Sequence, residues 1–99
     1  MYARHVTVHG SPDRLDEAVR SVRDNVLPVL QACAGFKGQL LLIDRAKGEA
    51  IGISLWDTEE NMNASEEKVA PARQQTADQV GAGGAPEVAL YELPIFETP

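Results

Sequence analysis

The sequence predicts an α+β domain whose elements follow the order strand, helix, strand, strand, helix, strand. An apolar strand ends on the only tryptophan, Trp56, and an acidic helix begins directly after it. Asp57 or Thr58 can cap that helix, and Glu59 and Glu60 lie in its first turn. After the first strand, the pattern of apolar residues likewise changes from that of a strand to that of a helix. Two strand–helix–strand halves form a four-stranded antiparallel sheet with both helices on one face, a ferredoxin-like sandwich.

The first half begins with a strand over 2–9, where apolar and polar residues alternate. Ser11 is expected to cap the helix that follows, and Pro12 suits its first turn. Pro28 lies inside this helix and is expected to kink it or to force a local adjustment near Asp24. The apolar stripe of the helix recurs at three- and four-residue steps: Leu15, Val19, Val22, Val26, Val29, Leu30 and Cys33.

The second half contains two strands, a helix and a final strand. The strands cover 36–44 and 49–56, and 45–48 forms a hairpin turn with glycine last. The second helix carries only a thin stripe, namely Met62, Val69, Arg73, Ala77 and Val80. The sequence leaves open whether Pro71 breaks this helix or bends it. Residues 81–86 form a glycine-rich link, and the last strand covers 88–96, where Pro94 favours an edge position.

Length and charge limit the classes of function. The 99 residues predict one domain, 1–99, with a formal charge of −6. A net negative charge disfavours binding to nucleic acid or to an anionic membrane surface. Cys33 is the only cysteine, so no disulfide within the chain is possible, and we expect it to be a small buried hydrophobe. No apolar run approaches the roughly 18 residues of a membrane helix, so we expect a soluble cytoplasmic protein.

The strands are apolar on both sides, which predicts a partner for the sheet. In the third strand, Ile51, Ile53 and Leu55 form one side. The other strands also carry apolar residues on both faces, and two helices can cover only one face of the sheet. We therefore expect a homodimer in which two sheets pack face to face.

Three short segments resemble a known family. Residues 28–30 (Pro-Val-Leu), 35–38 (Gly-Phe-Lys-Gly) and 54–60 (Ser-Leu-Trp-Asp-Thr-Glu-Glu) are similar to the antibiotic-biosynthesis-monooxygenase domain of the dimeric α+β-barrel superfamily. The resemblance covers nearly the whole chain. It implies a cavity between sheet and helices for a flat aromatic ligand. It also implies a cofactor-independent monooxygenase that acts on a phenolic, quinol or anthrone-like aromatic.

His5 and Trp56 are the candidate catalytic residues. Trp56 offers an aromatic wall and an indole N–H donor, although a single tryptophan is more often a packing residue. His5 can accept a phenolic proton near neutral pH. Arg4 can stabilise an anionic ligand, but strand alternation directs it away from His5.

Four further residues are candidate ligand-binding groups: Asn61, Ser65, Arg73 and Tyr91. Asn61 more commonly supports a helix start, and Arg73 more commonly forms a surface ion pair with Glu66 or Asp78. Both histidines precede residue 10, whereas haem-degrading relatives of this fold hold iron through a histidine on the second helix. No spacing typical of metal ligands occurs, so neither a metal nor another cofactor is expected. The alternative function is a ligand-binding or dimerisation module without turnover.

Overall fold

The computed structural model describes residues 1–81 and 83–99, and its four strands form one antiparallel sheet in the order β2-β3-β1-β4. The strands are β1 (Tyr2–His9), β2 (Phe36–Asp44), β3 (Glu49–Trp56) and β4 (Glu87–Glu92). The helices are α1 (Leu15–Ser21), α2 (Leu27–Gln31) and α3 (Glu59–Gln79). The helices pack on one face of the sheet, so the predicted ferredoxin-like fold is confirmed.

The first three strands have the predicted bounds, and the fourth is shorter than predicted. It ends at Glu92 rather than at Phe96, because Pro94 has no N–H to donate to a ladder. Its edge position beside β1 agrees with the prediction. The predicted link over 81–86 includes Ala82, which lies outside the described residues.

The first helical region is irregular where the sequence predicts a disturbance. A π-helical turn, Val22–Val26, separates α1 from α2 and lies one turn before Pro28. Proline removes one N–H from the helical ladder, and a π turn absorbs such an irregularity. The predicted cap by Ser11 is wrong, since its side chain makes no capping hydrogen bond. The Ser11 backbone N–H instead donates to the Val80 carbonyl at 3.1 Å.

Helix α3 is continuous through Pro71, which answers the question that its sequence leaves open. Thr58 caps the helix, because its Oγ1 accepts a hydrogen bond from the Asn61 N–H at 3.1 Å. Pro71 is exposed, so the carbonyl that loses its partner lies near solvent. The side of the helix that faces the sheet buries Met62, Ser65, Val69, Thr76 and Ala77.

The core between sheet and helices is divided into two clusters. One contains Val8, Leu15, Ala18, Ala50, Ala77 and Val80. The other contains Val26, Leu30, Cys33, Trp56, Met62 and Val69. The predicted burial of Cys33 is confirmed. A cavity lies between the clusters, since its walls include members of both.

The opposite face of the sheet carries apolar side chains that no helix covers. Leu40 and Leu42 of β2 are 45% and 48% exposed. They pair across the ladder with Ile53 and Ile51 of β3, which are half-buried. We call the residues on this side of the sheet the open face.

Candidate functional site

The cavity between the two core clusters is the candidate site. Its volume is about 60 Å³. Its apolar walls come from β1, the π turn, α2, β2, β3 and α3: Val6, Val8, Val22, Val26, Leu30, Leu41, Ala50 and Val69. Its polar lining residues are Arg4, Gln39, Ser54, Arg73 and Thr76. Among the described residues, the lining contains two cations and no carboxylate.

Strand register places three of these polar residues in one row. Gln39 pairs with Ser54, and Ser54 pairs with Arg4, so the row crosses β2, β3 and β1. Directly paired residues point to the same face of an antiparallel sheet. We call Gln39, Ser54 and Arg4 the polar row. The next row contains Leu41, Gly52 and Val6, and the Gln39 amide lies over Gly52, with its Nε2 3.2 Å from the position that a Cβ there would take.

Arg4 is the most buried charged residue of the site, at 2% exposure. Its Nη2 donates to the Met62 carbonyl and, at 2.7 Å, to Ser65 Oγ. Its guanidinium lies 5.5 Å from the centroid of the Trp56 ring, which is a cation–π distance. These contacts hold the side chain in one position against α3.

Glu66 joins the two arginines of the cavity. It accepts a bidentate pair of hydrogen bonds from Arg73 at 2.7 and 2.8 Å, and its Oε1 lies 3.4 Å from Arg4 Nε. The side chain of Arg73 is only 11% exposed, whereas that of Glu66 is 46% exposed. The group therefore places two guanidinium charges inside the protein and one carboxylate at its edge.

The environment changes the pKa of both partners. Burial lowers the pKa of Arg4, and the Glu66 carboxylate opposes that effect. The hydrogen bond from Arg73 lowers the pKa of Glu66, burial acts against it, and the charges of Arg73 and Arg4 add to the lowering. Glu66 is therefore ionised at neutral pH and partly neutralises the buried arginines.

Replacing Glu66 with glutamine should make the free energy of unfolding depend less on pH in the acid range. The folded-state pKa of Glu66 lies below its ordinary value of 4.5. Its contribution is therefore complete above that value and is lost as the pH falls through the folded pKa. Urea unfolding should show wild type more stable than Glu66→Gln at neutral pH, with the difference vanishing in acid. Glu67→Gln, at an exposed neighbour, is the matched control. A difference that persists unchanged in acid would contradict the ion-pair assignment.

Trp56 supports the site from behind rather than lining it. Its ring is fully buried and packs edge-to-face on Phe36, with 5.6 Å between ring centroids. Its Nε1–H donates to Ser54 Oγ at 2.8 Å. The hydroxyl of Ser54 therefore keeps its own proton for donation, and Trp56 orients it.

The predicted site residues lie in three places. Arg73 lines the cavity, and Ser65 and Trp56 contact Arg4 beside it. His5 and Tyr91 lie on the open face, where their rings meet edge-to-face with centroids 6.3 Å apart.

Asn61 lies at the start of α3, where its Nδ2 donates to Asp57 Oδ1 at 3.0 Å. That hydrogen bond lowers the pKa of Asp57, and the pair supports the turn after β3. The added Cβ of any larger residue at Gly35 would lie 2.1 Å from Asp57 Oδ1, which accounts for glycine there. The ligand-binding roles of Asn61, Ser65, Arg73 and Tyr91 stay predictions.

Sequence reasoning missed Gln39 and Ser54. Both were assigned only to strand faces, and no spacing along the chain connects them. The signal that could have found them is the pairing of β2 with β3 through the 45–48 turn, which sets Gln39 opposite Ser54. Within residues 1–81 and 83–99 no cluster of three or more His, Cys, Asp or Glu side chains could hold a metal. None of the helices described is both long and apolar enough to cross a membrane.

Two proteins of Mycobacterium tuberculosis are similar to the chain in sequence. The uncharacterized protein Rv2557 is 40% identical over 93 residues, which are 94% of this chain and 41% of that protein. The uncharacterized protein Rv2558 is 44% identical over 77 residues, which are 78% of this chain and 33% of that protein. The chain thus spans less than half the length of the curated relatives it matches. No family model matches it.

Solved structures define the class of fold. The monooxygenase ActVA-Orf6 of Streptomyces coelicolor, solved with nanaomycin D, superposes with a TM-score of 0.81 at 15% identity, over 99% of this chain and 91% of that one. A candidate antibiotic biosynthesis monooxygenase of Deinococcus radiodurans gives 0.75 at 15% identity, over 100% and 98%. The resemblance predicted from the sequence is confirmed at the level of fold. The chain has the ferredoxin-like fold of the antibiotic-biosynthesis-monooxygenase proteins.

Proposed function

We propose that this protein is a cofactor-independent monooxygenase that oxidises a phenolic, quinol or anthrone-like aromatic in the cavity between sheet and helices. The observation that carries the proposal is the buried guanidinium of Arg4 at the edge of an apolar cavity. The fold shared with ActVA-Orf6, itself a monooxygenase, supports it. Residues 1–99 act as one domain in this proposal, since all four strands belong to one sheet.

The chemistry needs an electron-rich substrate anion and a dry site. The substrate enters as the anion of a phenol or enol that has released its proton to solvent water, and this anion supplies both electrons for a bond from carbon to oxygen. The resulting hydroperoxide loses water and leaves a carbonyl group, so O₂ ends as one product oxygen and one water. A fixed guanidinium stabilises the anion without reorganising, and the apolar walls exclude competing water.

Ligand entry must enlarge the cavity. Its volume of about 60 Å³ is well below the roughly 300–1,000 Å³ of a drug-sized ligand site. The two core clusters are separate, so a ring can enter between them without dismantling either. The π turn over 22–26 supplies two of the wall residues and is the irregular part of that wall.

The open face supports a homodimer in the same proposal. Leu40 and Leu42 are large exposed apolar side chains at one edge of this face, and Tyr91 lies on the strand at the other edge. A second copy that packs sheet to sheet would cover this face. The cavities of the two subunits would then lie on the outer sides of the paired sheets.

Oxygen uptake tests the enzymatic part of the proposal. With a hydroquinone or an anthrone, the protein should consume oxygen faster than buffer does. Arg4→Lys should lower that rate by about 10²-fold, the cost of losing one preorganised donor to a developing oxyanion. An oxygen electrode measures the rate, and Arg23→Lys, on the exposed side of the π turn, is the matched control.

His5→Ala and His9→Ala test whether a histidine accepts the substrate proton. A loss of uptake in His5→Ala but not in His9→Ala would move the chemistry to the open face, next to Tyr91. Uptake no faster than buffer across all three aromatic classes would remove the monooxygenase proposal.

One observation favours the second candidate, a ligand-binding or dimerisation module without turnover. Among the described residues, the cavity lining contains no histidine and no carboxylate, so no side chain there is a general base near neutral pH. Binding of an aromatic without oxygen uptake would select this function.

A further inference from the structure

Two buried polar atoms of the cavity have no hydrogen-bond partner within the described part of the protein. They are Arg4 Nε, a donor, and Gln39 Oε1, an acceptor. Arg4 Nε lies 3.4 Å from Glu66 Oε1, but the pair does not form a hydrogen bond. Leaving such groups unpaired is unfavourable, since a buried donor or acceptor loses its water without compensation.

The two atoms belong to opposite ends of the polar row. Ser54 lies between Arg4 and Gln39, and its hydroxyl proton remains available because Trp56 donates to its oxygen. The backbones of Arg4 and Gln39 are two inter-strand spacings apart, which is roughly 9–10 Å. The row therefore offers a donor at the Arg4 end, a second donor at Ser54 in the centre, and an acceptor at the Gln39 end.

We propose that the cavity binds a small aromatic acid that carries a hydroxyl group on the far side of the ring from its carboxylate. The carboxylate accepts hydrogen bonds from Arg4 Nε and Ser54 Oγ, and the hydroxyl donates to Gln39 Oε1. The ligand occupies the cavity of the proposed function, and in this respect the inference rests on that function. Its carboxylate takes the position beside Arg4 that the substrate anion takes during oxidation.

Charge favours a single negative group on the ligand. Arg4 and Arg73 bring two positive charges to the cavity, and Glu66 brings one negative charge. A monoanion would balance the remaining charge in a region of low dielectric constant. A neutral phenol would leave that charge unbalanced.

The apolar lining beside the polar row accommodates the ring. Leu41 and Val6 lie on either side of Gly52, and the Gln39 amide lies over Gly52, with Nε2 3.2 Å from the position that a Cβ there would take. Val26 and Val69 line the cavity from the helical layer. A flat ring between these apolar side chains presents its substituents to Arg4 and Gln39 at its two ends.

Binding in oxygen-free buffer tests the inference apart from turnover. Calorimetric titration with 4-hydroxybenzoate, benzoate and phenol separates the two contacts, because benzoate lacks the hydroxyl and phenol lacks the carboxylate. The wild-type protein should bind 4-hydroxybenzoate about tenfold more tightly than either, since each missing group leaves a buried partner unpaired.

Two variants assign the contacts to residues. Gln39→Met should bring the affinity ratio of 4-hydroxybenzoate to benzoate close to one, because any change of cavity shape affects both ligands alike. Arg4→Lys keeps the charge but removes the Nε–H, and should weaken both acids by about tenfold while leaving phenol unchanged. Gln75→Met and Arg23→Lys, at exposed positions, are the matched controls. Circular dichroism checks that every variant is folded.

The outcomes separate this inference from the proposed function. No binding of the three ligands, or a hydroxyl preference that survives Gln39→Met, would overturn the inference. Selective binding of 4-hydroxybenzoate, with no oxygen uptake from a hydroquinone or an anthrone, would keep the ligand class and count against the monooxygenase. Uptake with a hydroquinone in a protein that binds no aromatic acid would keep the monooxygenase and overturn the inference.

Discussion

Replacing Trp56 with alanine should lower the free energy of unfolding by about 3–5 kcal/mol, as for other large-to-small changes in a core. Each kcal/mol lowers the unfolding midpoint of a domain this small by roughly 4–8 °C. The midpoint should therefore fall by at least about 12 °C. A small domain has only about 5–15 kcal/mol in total, so the loss is a large part of its stability.

The reason is the number of contacts that meet at this ring. Trp56 is 0% exposed and packs on Phe36 at one end of the core. Its loss also removes the hydrogen bond to Ser54 and the aromatic face under the Arg4 guanidinium. The buried charge of Arg4 then loses a favourable neighbour, which adds to the cost of the empty volume.

Thermal unfolding followed by circular dichroism measures the effect. Trp56→Phe keeps most of the volume and should cost less than Trp56→Ala. Phe96→Ala, at an aromatic residue that is 58% exposed, is the matched control and should change stability by no more than about 0.5 kcal/mol. Equal midpoints for Trp56→Ala and wild type would show that the ring does not hold the core together.

Replacing Leu42 with glutamate should convert the proposed homodimer into a monomer. Sedimentation equilibrium should give twice the chain mass of 10.7 kDa for wild type and the single mass for the variant. The dissociation constant should rise by about 10²-fold or more, because an unpaired carboxylate buried between the sheets costs at least about 2 kcal/mol. Because the two copies of a two-fold symmetric dimer present the same surface to each other, the interface contains the substitution twice.

The expectation follows from the position of Leu42 on the open face. It pairs with Ile51, and Ile51 pairs with Thr7, so the side chain lies in a row of the sheet that no helix covers. A carboxylate there would be buried without a partner between two sheets, which is strongly unfavourable.

Leu90→Glu is the matched control for this experiment. Leu90 is 52% exposed on β4, but it pairs with Arg4 and therefore points to the helix side of the sheet. The control should remain a dimer. A wild-type monomer at micromolar concentration, or a Leu42→Glu variant that sediments like wild type, would refute sheet-to-sheet packing.

The secondary structure could be predicted closely because its signals are local. Alternation over 2–9 and 49–56 and the cap at Thr58 depend on neighbours along the chain, and the strands and the helix start lie where these signals place them. The disturbance caused by Pro28 is also local, because a missing N–H affects its own helical turn. The role of Ser11 depends on a distant partner, the Val80 carbonyl, and there the prediction was wrong. The predicted end of β4 was also wrong, although Pro94, which ends the strand, is a local signal.

The candidate site was only partly predictable. Strand alternation correctly separates Arg4 from His5. It does not decide which of the two faces the helices, because both faces of the strands are apolar. Gln39 and Ser54 carried no signal, since a polar residue in a strand normally indicates solvent.

The order of elements, the fold class and the apolar character of both sheet faces follow from the amino-acid sequence alone. The tertiary structure was needed to show which face lines the cavity, that α3 runs unbroken through Pro71, and that Gln39, Ser54 and Arg4 form one row. The physical reason is distance along the chain. Periodicity and caps act over a few residues, whereas the polar row joins positions on three strands through register and helix packing.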